Sequence, residues 1–192
     1  MGGYFLFRAF LLKASEGRTA PDFSLKSLAG SGGRMDLICR CVIAALAVPG
    51  GPERSTEITI VLEGPPNPPI SVTFSGAEIE GAPQGEVEVG EMIAKAMRGD
   101  PPRGVRAARW GFREALLDYR RQGFKAYYLH EEGEAFRYAR LAQKGVFVLG
   151  DHKGLDPGSE RLLDELGAKR ISLGPISYLA SHCITMVQAN LP

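Results

Sequence analysis

Cysteine is scarce in this chain: Cys39, Cys41 and Cys183 are the only ones among 192 residues. An odd number without a secretory leader pattern excludes a disulfide framework and points to a reducing, cytoplasmic setting. Cys39 and Cys41 lack partners at zinc-ligand spacing, and His130, His152 and His182 lie apart, so no metal is expected. Apolar runs of membrane length are missing as well. Residues 1–12 are apolar, but Arg8 interrupts them and no small-residue cleavage pattern follows. They are read as a buried first strand, with no membrane contact. Net charge is almost absent, at +1, so the chain does not hold nucleic acid by its overall charge. No phosphate loop or dinucleotide fingerprint is present, because Gly30-Ser31-Gly32-Gly33 has neither the lysine nor the spacing.

What is present suits a folded domain. Hydrophobic residues make up 44% and charged residues 23%, which argues against extended disorder. The length favours a single domain over residues 1–192, with one core and one site. Charge is unevenly placed. Residues 95–125 hold Lys95, Arg98, Arg103, Arg106, Arg109, Arg113, Arg120, Arg121 and Lys125 against Asp100, Glu114 and Asp118, a local balance of +6. Such a block can neutralise phosphates, and it reads equally well as solvated helix faces.

Residues 4–12 and 57–62 form short β-branched, aromatic and aliphatic runs, and residues 34–48 between them have helical spacing. Gly30-Ser31-Gly32-Gly33 and Pro65-Pro66-Asn67-Pro68-Pro69 are loops near strand ends, the second leading into a strand at 70–74. Amphipathic helices are expected at 89–98 and 110–121, with a loop at 99–104 between them. The rest alternates: strand 126–129, helix 134–142, strand 146–149, helix 159–166, strand 170–173, helix 178–190. This predicts an α/β fold, with a mostly parallel sheet flanked by helices and ligands at the carboxyl ends of its strands. Those ends carry Leu129-His130-Glu131, Leu149-Gly150-Asp151-His152 and Leu173-Gly174-Pro175.

Three of the late segments are specific in wording: Phe147-Val148-Leu149-Gly150-Asp151-His152, Ile171-Ser172-Leu173-Gly174-Pro175 and Ser177-Tyr178-Leu179-Ala180-Ser181-His182-Cys183. The opening adds Arg8, Asp22-Phe23-Ser24-Leu25, Gly30-Ser31-Gly32-Gly33-Arg34-Met35-Asp36 and Val61-Leu62-Glu63-Gly64-Pro65-Pro66. Together and in this order they resemble the archaeal-type tRNA pseudouridine-54 N1-methyltransferases, of the SPOUT class of RNA methyltransferases. The likeness spans nearly the whole chain. It departs at Phe10-Leu11-Leu12, more apolar than the family's stretch, and at Gln188-Ala189-Asn190.

The resemblance implies a C-terminal trefoil knot over roughly residues 125–192 and a homodimer with active sites near the subunit interface. Alternation alone gives an ordinary open sheet, so the knot rests on the family likeness. It also implies S-adenosylmethionine (SAM) as cofactor, bound by Leu129, Gly150, Ser172, Leu173, Gly174, Ser177, Tyr178, Leu179 and Cys183, and tRNA as partner. Chemically this is reasonable. Apolar side chains can hold the faces of adenine while loop backbone reads its edge, and Gly150 is expected to let that backbone approach.

Pseudouridine keeps a free N1–H, so methylation there requires loss of a proton. Asp36 is the expected proton acceptor or substrate-orienting group, and Arg8 and Arg34 the groups that hold the base or flanking phosphates. On position alone, Asp36 reads as a helix N-terminal residue that complements the helix dipole. Tyr178, Phe23 or Trp110 could stack on an extruded base. Cys183 reads as a packed thiol. Two alternatives stay open: a related N1-pseudouridine methyltransferase of small-subunit ribosomal RNA, and a noncatalytic RNA-binding protein on the same scaffold.

Overall fold

The computed structural model describes residues 7–191. Strand β1 (Phe7–Ala14) contains five consecutive buried residues, the mark of a central parallel strand covered on both faces. It pairs in parallel with β4 (Thr56–Leu62) on one side and β8 (Lys144–Gly150) on the other. The expected first strand thus runs two residues further than read, and its residues 4–6 lie outside the described ones.

Between β1 and β4 come a short turn of helix α1 (Leu28–Ser31), helix α2 (Met35–Leu46) and a small ribbon of β2 (Ala47–Val48) and β3 (Gly51–Pro52). Strand β5 (Ile70–Ser75) follows antiparallel to β4, then helix α3 (Glu86–Met97) and β6 (Val105–Ala108), antiparallel to β5. Strand β6 was not expected. Of its four residues only Val105 is buried, so its backbone pairing with β5, rather than an apolar pattern, makes it a strand.

Helix α4 (Phe112–Arg121) leads to β7 (Lys125–Ala135), a single 3₁₀ turn (Phe136–Tyr138), β8, α5 (Pro157–Glu165), β9 (Lys169–Ser172) and α6 (Ala180–Asn190). The sheet order is β6-β5-β4-β1-β8-β7-β9, and four of its six pairings are parallel. The expected α/β architecture is therefore present. Among the described residues no helix is long and apolar enough to cross a membrane.

The two faces of β1 point into two cores. Phe10, Leu12 and Ala14 join Ile58, Ile60, Phe147 and Leu149 beneath α2, α3 and α6. Ala9 and Leu11 join Val146 and Val148 beneath α4 and α5, which contribute Phe112, Leu116, Leu162 and Leu163. The period of two along the strand thus feeds two helical layers.

The helix expected at 134–142 is not there. Leu129 and Glu134 both pair with Ile171 of β9, so residues 130–133 bulge out and the strand resumes for two residues. Phe136 then packs 6.2 Å from the Phe147 ring, and the Tyr127 hydroxyl accepts the Ala142 N–H at 2.8 Å. Packing on the buried Phe147 ring and a side-chain acceptor hold this segment as a strand end, one 3₁₀ turn and a loop, against its helical pattern.

Helix α5 begins on a strong cap. The Asp156 carboxylate accepts from the backbone N–H of Gly158 at 2.9 Å and of Ser159 at 3.1 Å, and it pairs with Lys13 at the end of β1. The Lys13 ammonium and the Ser159 hydroxyl hold its carboxyl far below the usual carboxylate range. Asp156→Ala should therefore cost about 1–2 kcal/mol in urea unfolding at neutral pH. A depressed carboxyl stabilises above its unfolded pKa, so the gap between variant and wild type should shrink as pH falls below about 4.

Candidate active site

The parallel strands all end at one edge of the sheet, and two cavities open there. The first, of about 250 Å³, lies between the ends of β7, β8 and β9 and the start of α6. Leu129, Gly150, Leu173, Gly174, Ser177, Tyr178 and Cys183 line it. Ser172 and Leu179, expected beside them, do not. The Ser172 hydroxyl donates to the Gly174 carbonyl at 2.9 Å and accepts its N–H at 3.2 Å, stapling the loop that carries the cavity wall. Leu179 faces the second cavity and is half exposed.

Gly150 has a second reason to be glycine. A Cβ there would lie 2.2 Å from the backbone carbon of Gly154, so glycine is needed for the chain to fold back on itself at residues 151–154. Asp151 holds this loop. Its carboxylate accepts from the Ser15 N–H and hydroxyl, both at 2.7 Å, and from the Lys153 N–H at 2.8 Å. Asp151 lines both cavities, yet sequence reasoning passed over it although it stands inside a motif singled out.

The second cavity, of about 310 Å³, runs between the start of α2 and the start of α6 and shares Asp151, Gly154, Ser177, Tyr178 and Ala180 with the first. Arg34 lines it. Gly33 and Arg34 both have φ of 63°, and a Cβ on Gly33 would fall 1.8 Å from the Glu16 carbonyl oxygen. The loop before α2 is thus pressed against the turn after β1. For a non-glycine residue such as Arg34 the left-handed conformation costs roughly 1–2 kcal/mol.

That cost is offset by a two-point contact. Arg34 donates through Nε and Nη2 to the two Asp36 oxygens, each at 3.0 Å. One turn on, Arg40 donates to the same Oδ2 at 2.6 Å and pairs with Glu86 of α3 at 2.9 Å. Asp36 is only 7% exposed, and the Arg34 hydrogen bonds, opposed in part by burial, hold its carboxyl below the usual range. A carboxylate gripped by two guanidinium groups is a weak proton acceptor. Of the two roles expected for Asp36, proton acceptance or substrate orientation, this pairing favours orientation, since the same carboxylate holds the Arg34 guanidinium at the cavity.

Arg8 is not brought to this edge. It lies at the opening of β1, buried, with Nη1 donating to the Gln188 Oε1 near the end of α6 at 2.8 Å. Ala14 lies six residue steps further along the strand, roughly 20 Å. Of the aromatic residues considered for stacking, Tyr178 lines both cavities, whereas Phe23 is in the core and Trp110 precedes α4. Burial pushes the Cys183 thiol up, which disfavours a thiolate nucleophile. Among the described residues, no group of three or more His, Cys, Asp or Glu converges as a metal site.

Residues 7–192 match the family model described as "Putative SAM-dependent RNA methyltransferase". The chain belongs to this methyltransferase family. The methyltransferase is 37% identical over 190 residues to the tRNA (pseudouridine(54)-N(1))-methyltransferase of Methanococcus maripaludis, covering 94% of this chain and 96% of that one. Over 193 residues it is also 37% identical to the enzyme of that name from Methanocaldococcus jannaschii, covering 94% of each. Its fold is similar to that of Archaeoglobus fulgidus Nep1 bound to S-adenosylhomocysteine, with a TM-score of 0.67, 15% identity and 95% of each chain covered.

If Asp36 organises the arginines of this methyltransferase, Asp36→Asn should lower its stability by about 1–3 kcal/mol at neutral pH. The stabilisation from a depressed carboxyl is complete above about pH 4 and lost on acidification. Urea titrations should therefore show wild type and variant converging as pH falls.

Proposed function

We propose that the chain methylates N1 of pseudouridine 54 in the TΨC loop of tRNA, with SAM as methyl donor. The observation that carries this reading is the common wall of the two cavities, where Ser177 and Tyr178 face both spaces. A donor on one side and a base on the other would meet across that wall, so that the reacting atoms are aligned before transfer. The names of the archaeal relatives supply the substrate and the position.

The first cavity suits the cofactor. Leu129, Leu149, Leu173 and Ile176 offer apolar faces for an adenine ring, and the backbone of the 173–178 loop offers polar groups to its edge. When bound, SAM supplies an electrophilic methyl group on a sulfonium. In this reading Leu129, Gly150, Leu173, Gly174, Ser177, Tyr178 and Cys183 hold it, Ser172 shapes the loop, and Leu179 belongs to the substrate side. Arg34, fixed by Asp36, stabilises negative charge on the base as the N1 proton leaves to water. Arg8 ties α6 to β1 instead of touching substrate.

The same reading takes residues 1–192 as one SPOUT domain with a C-terminal trefoil knot, acting in the cytoplasm as a homodimer. Ile176 and Leu179, 60% and 50% exposed beside the cavities, support a second copy closing over this edge.

Methyl incorporation from labelled SAM into tRNA transcripts carrying pseudouridine or uridine at position 54, followed by nucleoside mass spectrometry, tests the proposal. Product that depends on pseudouridine is expected. Cofactor binding without product would redirect the activity to ribosomal RNA, and absence of cofactor binding would leave a noncatalytic RNA-binding protein. Arg34→Ala should lower kcat about a hundredfold while S-adenosylhomocysteine affinity stays within about threefold.

A further inference from the structure

The cations of residues 95–125 do not form one surface. Lys95 pairs with Glu91, Arg106 with Glu57 and Arg121 with Asp118, while Arg109 donates to the Asn67 carbonyl. Helices α3 and α4 sit on opposite faces of the sheet, which separates their charges further. Two members of the block, Arg120 and Lys125, join residues far away in sequence.

They meet Arg140 and Lys169 around a groove of about 560 Å³ at the amino end of β7 and β9. No carboxylate lines it. All four cations are exposed, and among the described residues none of the four takes part in an ion pair, in contrast to Lys95, Arg106 and Arg121. Lys144 adds a fifth charge at the rim, its ammonium 5.7 Å from the Phe124 ring that lines the groove. Like charges gathered from α4, β7, β9 and the 139–143 segment repel one another unless an anion sits among them.

We propose that this groove binds the phosphate backbone of the RNA substrate, away from the nucleotide that is modified. The proposal rests on reading the chain as an RNA methyltransferase, and it adds where the body of the RNA lies. Lys125 and Leu129 are four residues apart on β7, so groove and cofactor cavity are separated by roughly 13 Å, the rise of about four stacked nucleotides. Edge strand β9 joins them, with Lys169 at the groove and Leu173 just beyond its far end at the cavity. Tyr138, 69% exposed with the Arg137 guanidinium 4.8 Å over its ring, stands two residues before Arg140 and offers a stacking surface beside the phosphates.

The test uses the full chain carrying Lys125→Glu and Lys169→Glu together, with tRNA binding followed by fluorescence anisotropy in the absence of cofactor. At about 100 mM salt the Kd should rise at least tenfold, and the slope of log Kd against log salt should fall by about 1.5. S-adenosylhomocysteine affinity and kcat at saturating tRNA should stay within twofold. Unchanged Kd and slope would overturn the proposal, as would a fall in kcat or cofactor affinity with Kd unmoved. Arg140→Ala gives an independent check, with a smaller rise in Kd expected and none overturning. A wild-type protein that binds tRNA and cofactor but transfers no methyl group to tRNA would overturn position 54 of tRNA as the target and leave the groove assignment standing.

Discussion

The turn that leaves β1 is where the loops of the active edge converge, and its backbone sets how closely they can approach. The Glu16 carbonyl lies so near residues 33 and 64 that a Cβ at either would fall 1.8 or 2.3 Å from it. The Ser15 backbone and hydroxyl hold the Asp151 carboxylate, and Lys13 reaches Glu63 and Asp156. Three loops, after β4, before α2 and between β8 and α5, are thereby fixed to one short stretch. That stretch is itself fixed because β1 is paired on both sides and buried on both faces.

Electrostatics then divides the molecule. At the active edge the cations are neutralised within the fold: Asp36 serves Arg34 and Arg40, and Glu16 serves Lys153. The exposed Glu16–Lys153 pair adds little stability, whereas the buried Asp36 carboxylate contributes both stability and direction. The two Asp36 oxygens hold the Arg34 guanidinium in one orientation at the cavity wall. At the opposite edge the cations of the groove have no carboxylate among its lining residues, which suits a polyanion contacted without regard to base identity.

The sequence by itself determined the α/β layering, because continuous apolar strands and helical periodicity are local patterns that burial makes obligatory. Of the nine residues that the family resemblance put forward for the cofactor, seven line one cavity at the carboxyl ends of the strands. Sheet topology after all favours the carboxyl ends of parallel strands for ligands. Only the tertiary structure decided the rest. The 134–142 segment is not an α-helix because contacts with Phe147 and the Tyr127 hydroxyl outweigh its helical pattern. Gly150 is pressed against Gly154 of its own loop, and Arg8 is tied to Gln188 near the end of α6, a contact remote in sequence. In the same way Arg120, Lys125, Arg140 and Lys169 become one groove only when strand order places them together. Periodicity reports which face of an element is buried. Which residues meet across elements is fixed by strand pairing and register, and these are set by contacts distant in the chain.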